Sequence, residues 1–545
     1  MLRGNYRILS RVARRHASSN TLSSKYELTC GLEIHTQLNT KNKLFSMSSN
    51  KSFESLAHPN INASYFDVAL PGTQPVLNYE AVLFAAKLAV SLHGTVNINS
   101  QFDRKHYFYG DQPQGYQITQ HYHPFSKGGY IMLSKEFDGI DQDLSKINIT
   151  QLQIEQDTAR SSYLHQSLIE GREEALIDFN RSNVPLIELV TEPDFHDVKQ
   201  VKAFIKKYQN LVRQLHISTG DLETGSIRVD VNVSVNEHPR VELKNLPNTS
   251  SILNAIKYEY KRQVEVLEGG SLGGSKAVET RGWDGEKTTL LRSKESAVDY
   301  RYMADPELPP VTLSPDVLVN VKKSLTQSAD DCIRELMAEP YNLTLKDAKI
   351  LTIQNDFNDL YNNEEVRQYY LETFNIYMLL LKDDNKKKPK IIVSWILHEL
   401  LGNLKKLEIP LKKLNENMLP PELFAELLVL IHKQIISNSS AKMLLFHILE
   451  EFKANDCVKV ENLDFKALIK KYDLEVQTDV SKTELEQNCR DIITELNNPK
   501  MIDDIKSGKK KNSLKYLVGL GMRKYQGKIK VQELENMFKQ ILELE

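Results

Sequence analysis

The chain has 545 residues, too many for one hydrophobic core, so several folding units are expected. With 41% hydrophobic and 26% charged residues it has the composition of an ordinary globular protein, and no run of about 18 apolar residues exists to cross a bilayer. A formal net charge of −2 excludes an overall basic field for nucleic acid, and the four cysteines form no C-x-x-C pair, which argues against a disulfide framework or a cysteine-ligated zinc.

Residues 1–24 carry Arg3, Arg7, Arg11, Arg14 and Arg15 among several serines, and no acid precedes Glu27. Arg-rich, Ser-rich and acid-free is the composition of a mitochondrial presequence, with a plain basic tail as the alternative. Without those five arginines the charge falls from −2 to −7, so nucleic-acid contact would need a local patch.

Next, Leu28, Cys30, Leu32 and Ile34 alternate with Glu27, Glu33, His35 and Gln37 in the pattern of a half-buried strand. Side chains two apart on a strand share a face, so Glu33 and His35 point the same way. Taken alone, such a pair is more often a solvated strand face than a site. Asn78 to Gly94 reads as a buried helix, capped by Asn78 and ended by Gly94. Asp103 to Gln120 mixes aromatic, basic and turn-forming residues, a composition suited to facing phosphate or base. Gln153 to Asp157 alternates and sets Glu155 and Asp157 on one face. In Leu186-Ile187-Glu188-Leu189-Val190, Glu188 needs solvent or a partner. Ser226 to Val235, a turn at Asn236 to Pro239, then Val241 and Leu243 predict a hairpin with one apolar and one polar face. Gly269 to Lys276 fails as a P-loop, because Ser275 stands where lysine is required, and reads as a loop. Glu279-Thr280-Arg281 and the polar stretch from Arg292 to Tyr302 complete this part.

Prolines 306, 309, 310 and 315 mark a boundary, beyond which the pattern is helical. Helices are predicted over Val366 to Leu381, Ile391 to Leu407, Pro421 to Ile435, Ala441 to Phe452 and Lys482 to Asn497, with a further break near Leu419-Pro420-Pro421. Between Ile505 and Gln532 there are nine basic residues and no acid. Composition fits a phosphate-backbone patch and a solvated face equally.

Together Glu33, His35, Glu155 and Glu188 offer three oxygen donors and an imidazole. An oxygen-rich set suits a hard cation such as Mg²⁺, which keeps sites for water and substrate phosphates. Periodicity cannot show that the four converge.

These segments, in this order, closely resemble the B subunit of the glutamyl-tRNA(Gln)/aspartyl-tRNA(Asn) amidotransferases. The resemblance runs from about Tyr26 to Pro310 and continues more weakly through the tail. It implies an α+β protein: a presequence over 1–24, a glutamine-synthetase-like catalytic domain of mixed or antiparallel sheet with helices over 25–312, an all-α middle bundle over 313–415 and an all-α tRNA-binding tail domain over 416–545. It implies ATP-dependent phosphorylation of the glutamyl carboxylate of mischarged tRNA, then displacement of phosphate by ammonia from a separate amidase subunit, with a small third subunit, in the mitochondrial matrix. The presequence selects the glutamyl-tRNA(Gln) reaction. By resemblance Glu33, His35, Glu155 and Glu188 are metal and catalytic residues for Mg²⁺ and ATP. Lys105, Tyr107, Tyr116, Arg181 and Lys244 are candidates for nucleotide or substrate, and Lys509, Lys510, Lys511, Arg523 and Lys524 for tRNA. Relatives often carry four zinc-binding cysteines where Ser46, Ser48, Ser64 and Asp67 stand here, so no zinc is expected. Gln153 and Gln156 replace the family's His and second Glu in His-Leu-Glu-Glu-Asp, and Met303-Ala304-Asp305 replaces Phe-Pro-Glu.

Overall fold

The structure, a computed structural model, describes residues 25–51, 58–164, 174–269, 278–294, 299–353, 360–382, 389–460, 463–476, 482–496, 502, 505, 511–524, 529 and 531–542. The chain divides into two compact units, residues 1–327 and 328–545. The first holds all the strands named below, and the second is helical.

In the first unit the chain forms β1 (Leu28–Gln37), α1 (Tyr79–Ser91), β2 (Asp103–His106), β3 (Tyr116–Thr119), β4 (Leu144–Gln156), β5 (Pro185–Thr191), α2 (Val198–Gln214), β6 (Ile227–Val235), β7 (Val241–Lys244), α3 (Thr249–Glu268), β8 (Val278–Trp283), β9 (Thr288–Lys294) and β10 (Met303–Ala304). A ten-stranded sheet runs β9-β8-β7-β6-β1-β5-β4, then continues through the short strands Ser126–Lys127 and Thr95–Val96, while Tyr130–Ser134 also pairs with β4. All its pairings are antiparallel except β7 with β8. This is the mixed, mostly antiparallel sheet with helices that the resemblance implies.

Alternation decides what each face of the sheet does. On one face Cys30, Leu32 and Ile34 of β1 and Val229, Val231, Val233 and Val235 of β6 are buried in a single apolar cluster. Helices α2 and α3 cover them, contributing Val201, Phe204, Ile205 and Tyr208, and Ile252, Ala255 and Ile256. In α2 these residues recur at helical spacing, and Gln200 reaches back to accept from the Asp197 amide at 3.1 Å, closing the first turn. Asn248 starts α3 by accepting from the Ser251 amide at 2.9 Å. Asn78 caps α1 as expected, accepting from Glu80 N at 3.0 Å. The opposite face is polar and carries the site.

In the second unit, helices Asn363–Leu380 and Pro421–His432 pack together around Tyr369, Tyr370 and Tyr377, all buried. The segment expected as one helix from Ile391 to Leu407 is continuous but contains a π-helical stretch, Trp395–Leu400, between α-helical ends. The wider turn re-phases the helix so that Trp395, Ile396, Leu400, Leu401 and Leu404 are all buried. Helices Lys482–Leu496, Lys511–Lys524 and Val531–Leu542 share a separate apolar cluster.

Candidate active site

The sheet register brings the candidates together. His35 on β1 lies directly opposite Glu188 on β5 and Arg228 on β6, and Glu188 in turn lies opposite Gln153 on β4. Glu33 faces Asp230. Two residues along each strand, and so on the same face, Glu155 pairs with Leu186, which pairs with Gln37. Glu33, His35, Glu155 and Glu188 therefore occupy neighbouring places on one face, a convergence that needed the order of the strands.

Their hydrogen bonds fall into three separate groups along that face. His35 Nδ1 is 3.0 Å from Glu155 Oε1, and Thr119 Oγ1 donates to Glu155 Oε2 at 3.2 Å. Gln153 Nε2 donates to Glu188 Oε2 at 2.6 Å, and Asn232 Nδ2 to Glu33 Oε1 at 2.9 Å. Burial works against a charged imidazole at His35, but the hydrogen bond and charge of Glu155, with help from Glu188, outweigh it and lift the ring to about 9. Burial also opposes the charge on Glu155, yet His35 holds that carboxyl below its ordinary value. Glu188 goes the other way: burial and the neighbouring Glu155 charge push it up to about 7. Two carboxylates at such close quarters call for a proton or a cation between them.

Three more carboxylates share this face. Asp157 accepts from Gln37 Nε2 at 3.0 Å and pairs with Arg228 Nη2 at 3.0 Å; burial resists its charge, but the arginines hold it below the ordinary range. Lys244 pairs with Asp230 and with Glu242 Oε1, the latter at 3.0 Å. Among the described residues no three His, Cys, Asp or Glu side chains are drawn into a coordinating cluster. The donor set still fits a hard divalent cation: the groups are oxygen-rich, and Glu188 marks an excess of negative charge.

A flap of β2, β3 and β10 carries the aromatic and basic segment. Gly115 has φ +73, and a side chain there would meet the Phe108 ring at 3.0 Å, so the β2–β3 loop folds back on glycine and leaves Phe108 exposed. A cavity of about 870 Å³ is lined by Lys105, Tyr107, Phe108, Tyr109, Arg292 and Tyr300, among others. Lys105 Nζ sits 4.8 Å from the Tyr300 ring centre, and its charge acts on both Glu155 and Glu188. The cavity and the carboxylate-bearing face thus meet at Lys105.

The remaining candidates are placed differently. Tyr116 lies under the Arg104 guanidinium, 4.1 Å from the ring centre, and belongs to the flap's own packing. Arg181 spends its guanidinium on the Thr158 and Ala159 carbonyls at 2.9 and 2.8 Å and stays 3.7 Å from Asp157. Asp305, whose substitution in Met303-Ala304-Asp305 has no reading in sequence, accepts from Arg104 Nε at 2.8 Å and fixes β10 to β2. Asp67 forms a fully buried ion pair with Lys43 at 3.0 Å and also accepts from Asn183 Nδ2 at 2.9 Å. Lys509 and Lys510 lie outside the described residues, as does most of the Gly269 to Lys276 loop. Lys511, Arg523 and Lys524 belong to the helix Lys511–Lys524. Sequence reasoning missed Arg228, Gln37, Thr119 and Asn232. The polar alternation of β6 was the available signal for two of them.

A sheet whose one face gathers carboxylates, an imidazole and cations beside an aromatic-lined cavity has the arrangement of an enzyme active site. Residues 28–319 match the family model described as the GatB/GatE catalytic domain, and residues 380–542 match the GatB domain. The chain is 58% identical to the mitochondrial B subunit of the glutamyl-tRNA(Gln) amidotransferase of Kluyveromyces lactis, over 98% of this chain and 99% of that protein. It is 56% identical to the protein of the same name in Saccharomyces cerevisiae S288c, with 98% of each covered, and 55% identical to that of Zygosaccharomyces rouxii, with 96% of each covered. The chain belongs to the GatB/GatE family of amidotransferase subunits.

Proposed function

We propose that this chain is the kinase and transfer subunit of a mitochondrial glutamyl-tRNA(Gln) amidotransferase. It converts Glu-tRNA(Gln) to Gln-tRNA(Gln) with ATP, through a γ-glutamyl phosphate. The observation that carries this reading is the gathering of four side chains on the polar face of the sheet: His35 bonded to Glu155, Gln153 bonded to Glu188, and His35 set opposite Glu188 in register. Glu33, Glu155, Glu188 and His35 are the residues that would hold Mg²⁺, His35 only after giving up the proton that Glu155 favours on its ring, and the ion when bound would supply charge neutralisation to the phosphates. Gln153 and Asn232 each fix one carboxylate oxygen of Glu188 and Glu33, and His35 and Thr119 fix Glu155. Lys105 and Tyr107 stand where the cavity opens on that face and orient the nucleotide or the acceptor end. Lys244 keeps Asp230 and Glu242 paired, and Arg181 braces the strand end at Thr158 and Ala159.

The partners are an amidase subunit that supplies ammonia, a small third subunit and tRNA(Gln) charged with glutamate. The basic segment containing Lys509, Lys510, Lys511, Arg523 and Lys524 grips the tRNA backbone. The functional division is a catalytic domain over 25–312, a middle bundle over 313–415 and a tail domain over 416–545, with residues 1–24 as presequence. The test is reconstitution with the amidase partner, Glu-tRNA(Gln), ATP and Mg²⁺, with ammonium chloride replacing glutamine. The expected result is one phosphate released per Gln-tRNA formed. Gln-tRNA formation without ATP would sink the proposal.

A further inference from the structure

We propose that Arg228 is a catalytic residue of the phosphoryl step, its guanidinium binding the oxygens of the phosphoryl group as it passes from nucleotide to carboxylate. This rests on the phosphoryl-transfer reading above and adds a residue to it. Arg228 lies on β6 directly across from His35, at the centre of the carboxylate-bearing face. One end of its fork is fixed, with Nη2 at 3.0 Å from Asp157 Oδ1, and 37% of the side-chain surface stays open. Its Nε is buried and has no hydrogen-bond partner among the described residues. A buried N–H without an acceptor costs about 1–3 kcal/mol and is rare in native proteins. The guanidinium therefore keeps donor capacity that Asp157 does not use, on a side chain that is partly open.

The chemistry names its acceptor. Glu33, Glu155, Asp157, Glu188, Asp230 and Glu242 crowd this face and repel an incoming phosphate. Lys244 is neutralised by Asp230 and Glu242, Arg181 gives its donors to backbone carbonyls and lies 3.7 Å from Asp157, and Lys105 offers a single point charge rather than a fork. Arg228 has one carboxylate partner and a planar fork that matches two phosphoryl oxygens. In the step, a glutamyl carboxylate oxygen bonds to the γ-phosphorus as the bond from that phosphorus to the bridging oxygen of ADP breaks. ADP leaves with the electron pair, and no proton moves. Arg228 donates to the equatorial oxygens throughout.

The experiment measures single-turnover ADP formation by the complex reconstituted with its amidase partner, at saturating ATP and Glu-tRNA(Gln). Arg228→Lys, Arg228→Ala, Asp157→Asn and Glu188→Gln are compared with wild type. The expected result is a rate loss of roughly 10²–10³-fold for Arg228→Lys and Arg228→Ala, with the KM for tRNA unchanged and partial recovery of Arg228→Ala by millimolar guanidinium. Arg228→Lys keeps the charge beside Asp157, so it controls for folding. A rate within threefold of wild type in Arg228→Lys would overturn the proposal, because an ammonium there satisfies Asp157 but not a fork. So would a loss in Asp157→Asn as large as in Arg228→Ala with no guanidinium response. Unimpaired ADP formation in Glu188→Gln would instead remove the phosphoryl reading on which the proposal stands.

Discussion

The two faces of the central sheet use the same strands for opposite purposes. On β1, Leu32 and Ile34 are sealed under α2 and α3, while Glu33 and His35, one residue away in each case, point into the open polar face. On β6 the same holds for Val229 and Val231 against Arg228 and Asp230. The apolar face supplies rigidity and the polar face is supplied with geometry. The difference shows why a site so rich in like charge stays folded: six carboxylates are held at fixed spacings by a sheet stabilised from behind.

The comparison can be broken from both sides. The largest stability effect is expected away from both faces, at the buried Lys43–Asp67 pair. Lys43→Met leaves Asp67 unpaired and is expected to cost about 3–5 kcal/mol in chemical denaturation, whereas Lys43→Met with Asp67→Leu recovers most of it. An equal loss in single and double variants would mean that packing, and not charge, matters there. Next, Leu32→Ala on the apolar face is expected to cost about 2–5 kcal/mol while leaving the single-turnover rate nearly unchanged where the variant is folded. A rate loss larger than the unfolded fraction explains would show that the faces are not independent. Smallest is the tail. Neutralising Lys509, Lys510 and Lys511 is expected to lower the salt slope of tRNA binding by about two to three without altering denaturation. An unchanged slope would return that segment to a solvated face.

Period-two alternation made the faces of β1, β4, β5 and β6 legible, and with them the shared direction of Glu33 and His35. It could not say which strands are neighbours. That His35 meets Glu188 and Arg228, and not some other pair, follows from strand order and register, which single-strand patterns do not encode. The family resemblance bridged that gap for the four candidates but offered nothing for Arg228. In sequence, Arg228 was one polar residue among Asp230, Asn232 and Ser234. Lys43 and Asp67 sit in loop segments without periodicity, so their pairing left no trace. The π-helical stretch at Trp395–Leu400 was likewise hidden, since Ile396, Leu400 and Leu404 keep the i, i+4, i+8 spacing of an ordinary helix. Asp305 became intelligible only once its bond to Arg104 placed it in the flap.

The most direct test compares Glu155→Gln with Leu32→Ala in the reconstituted complex, measuring ammonia-driven Gln-tRNA formation and the thermal midpoint of each. Glu155 accepts from both His35 and Thr119 on the polar face. The expected result is that Glu155→Gln stays folded and loses roughly 10²–10³-fold in rate, while Leu32→Ala melts earlier and keeps its rate where folded. Full activity in a folded Glu155→Gln variant would contradict the account.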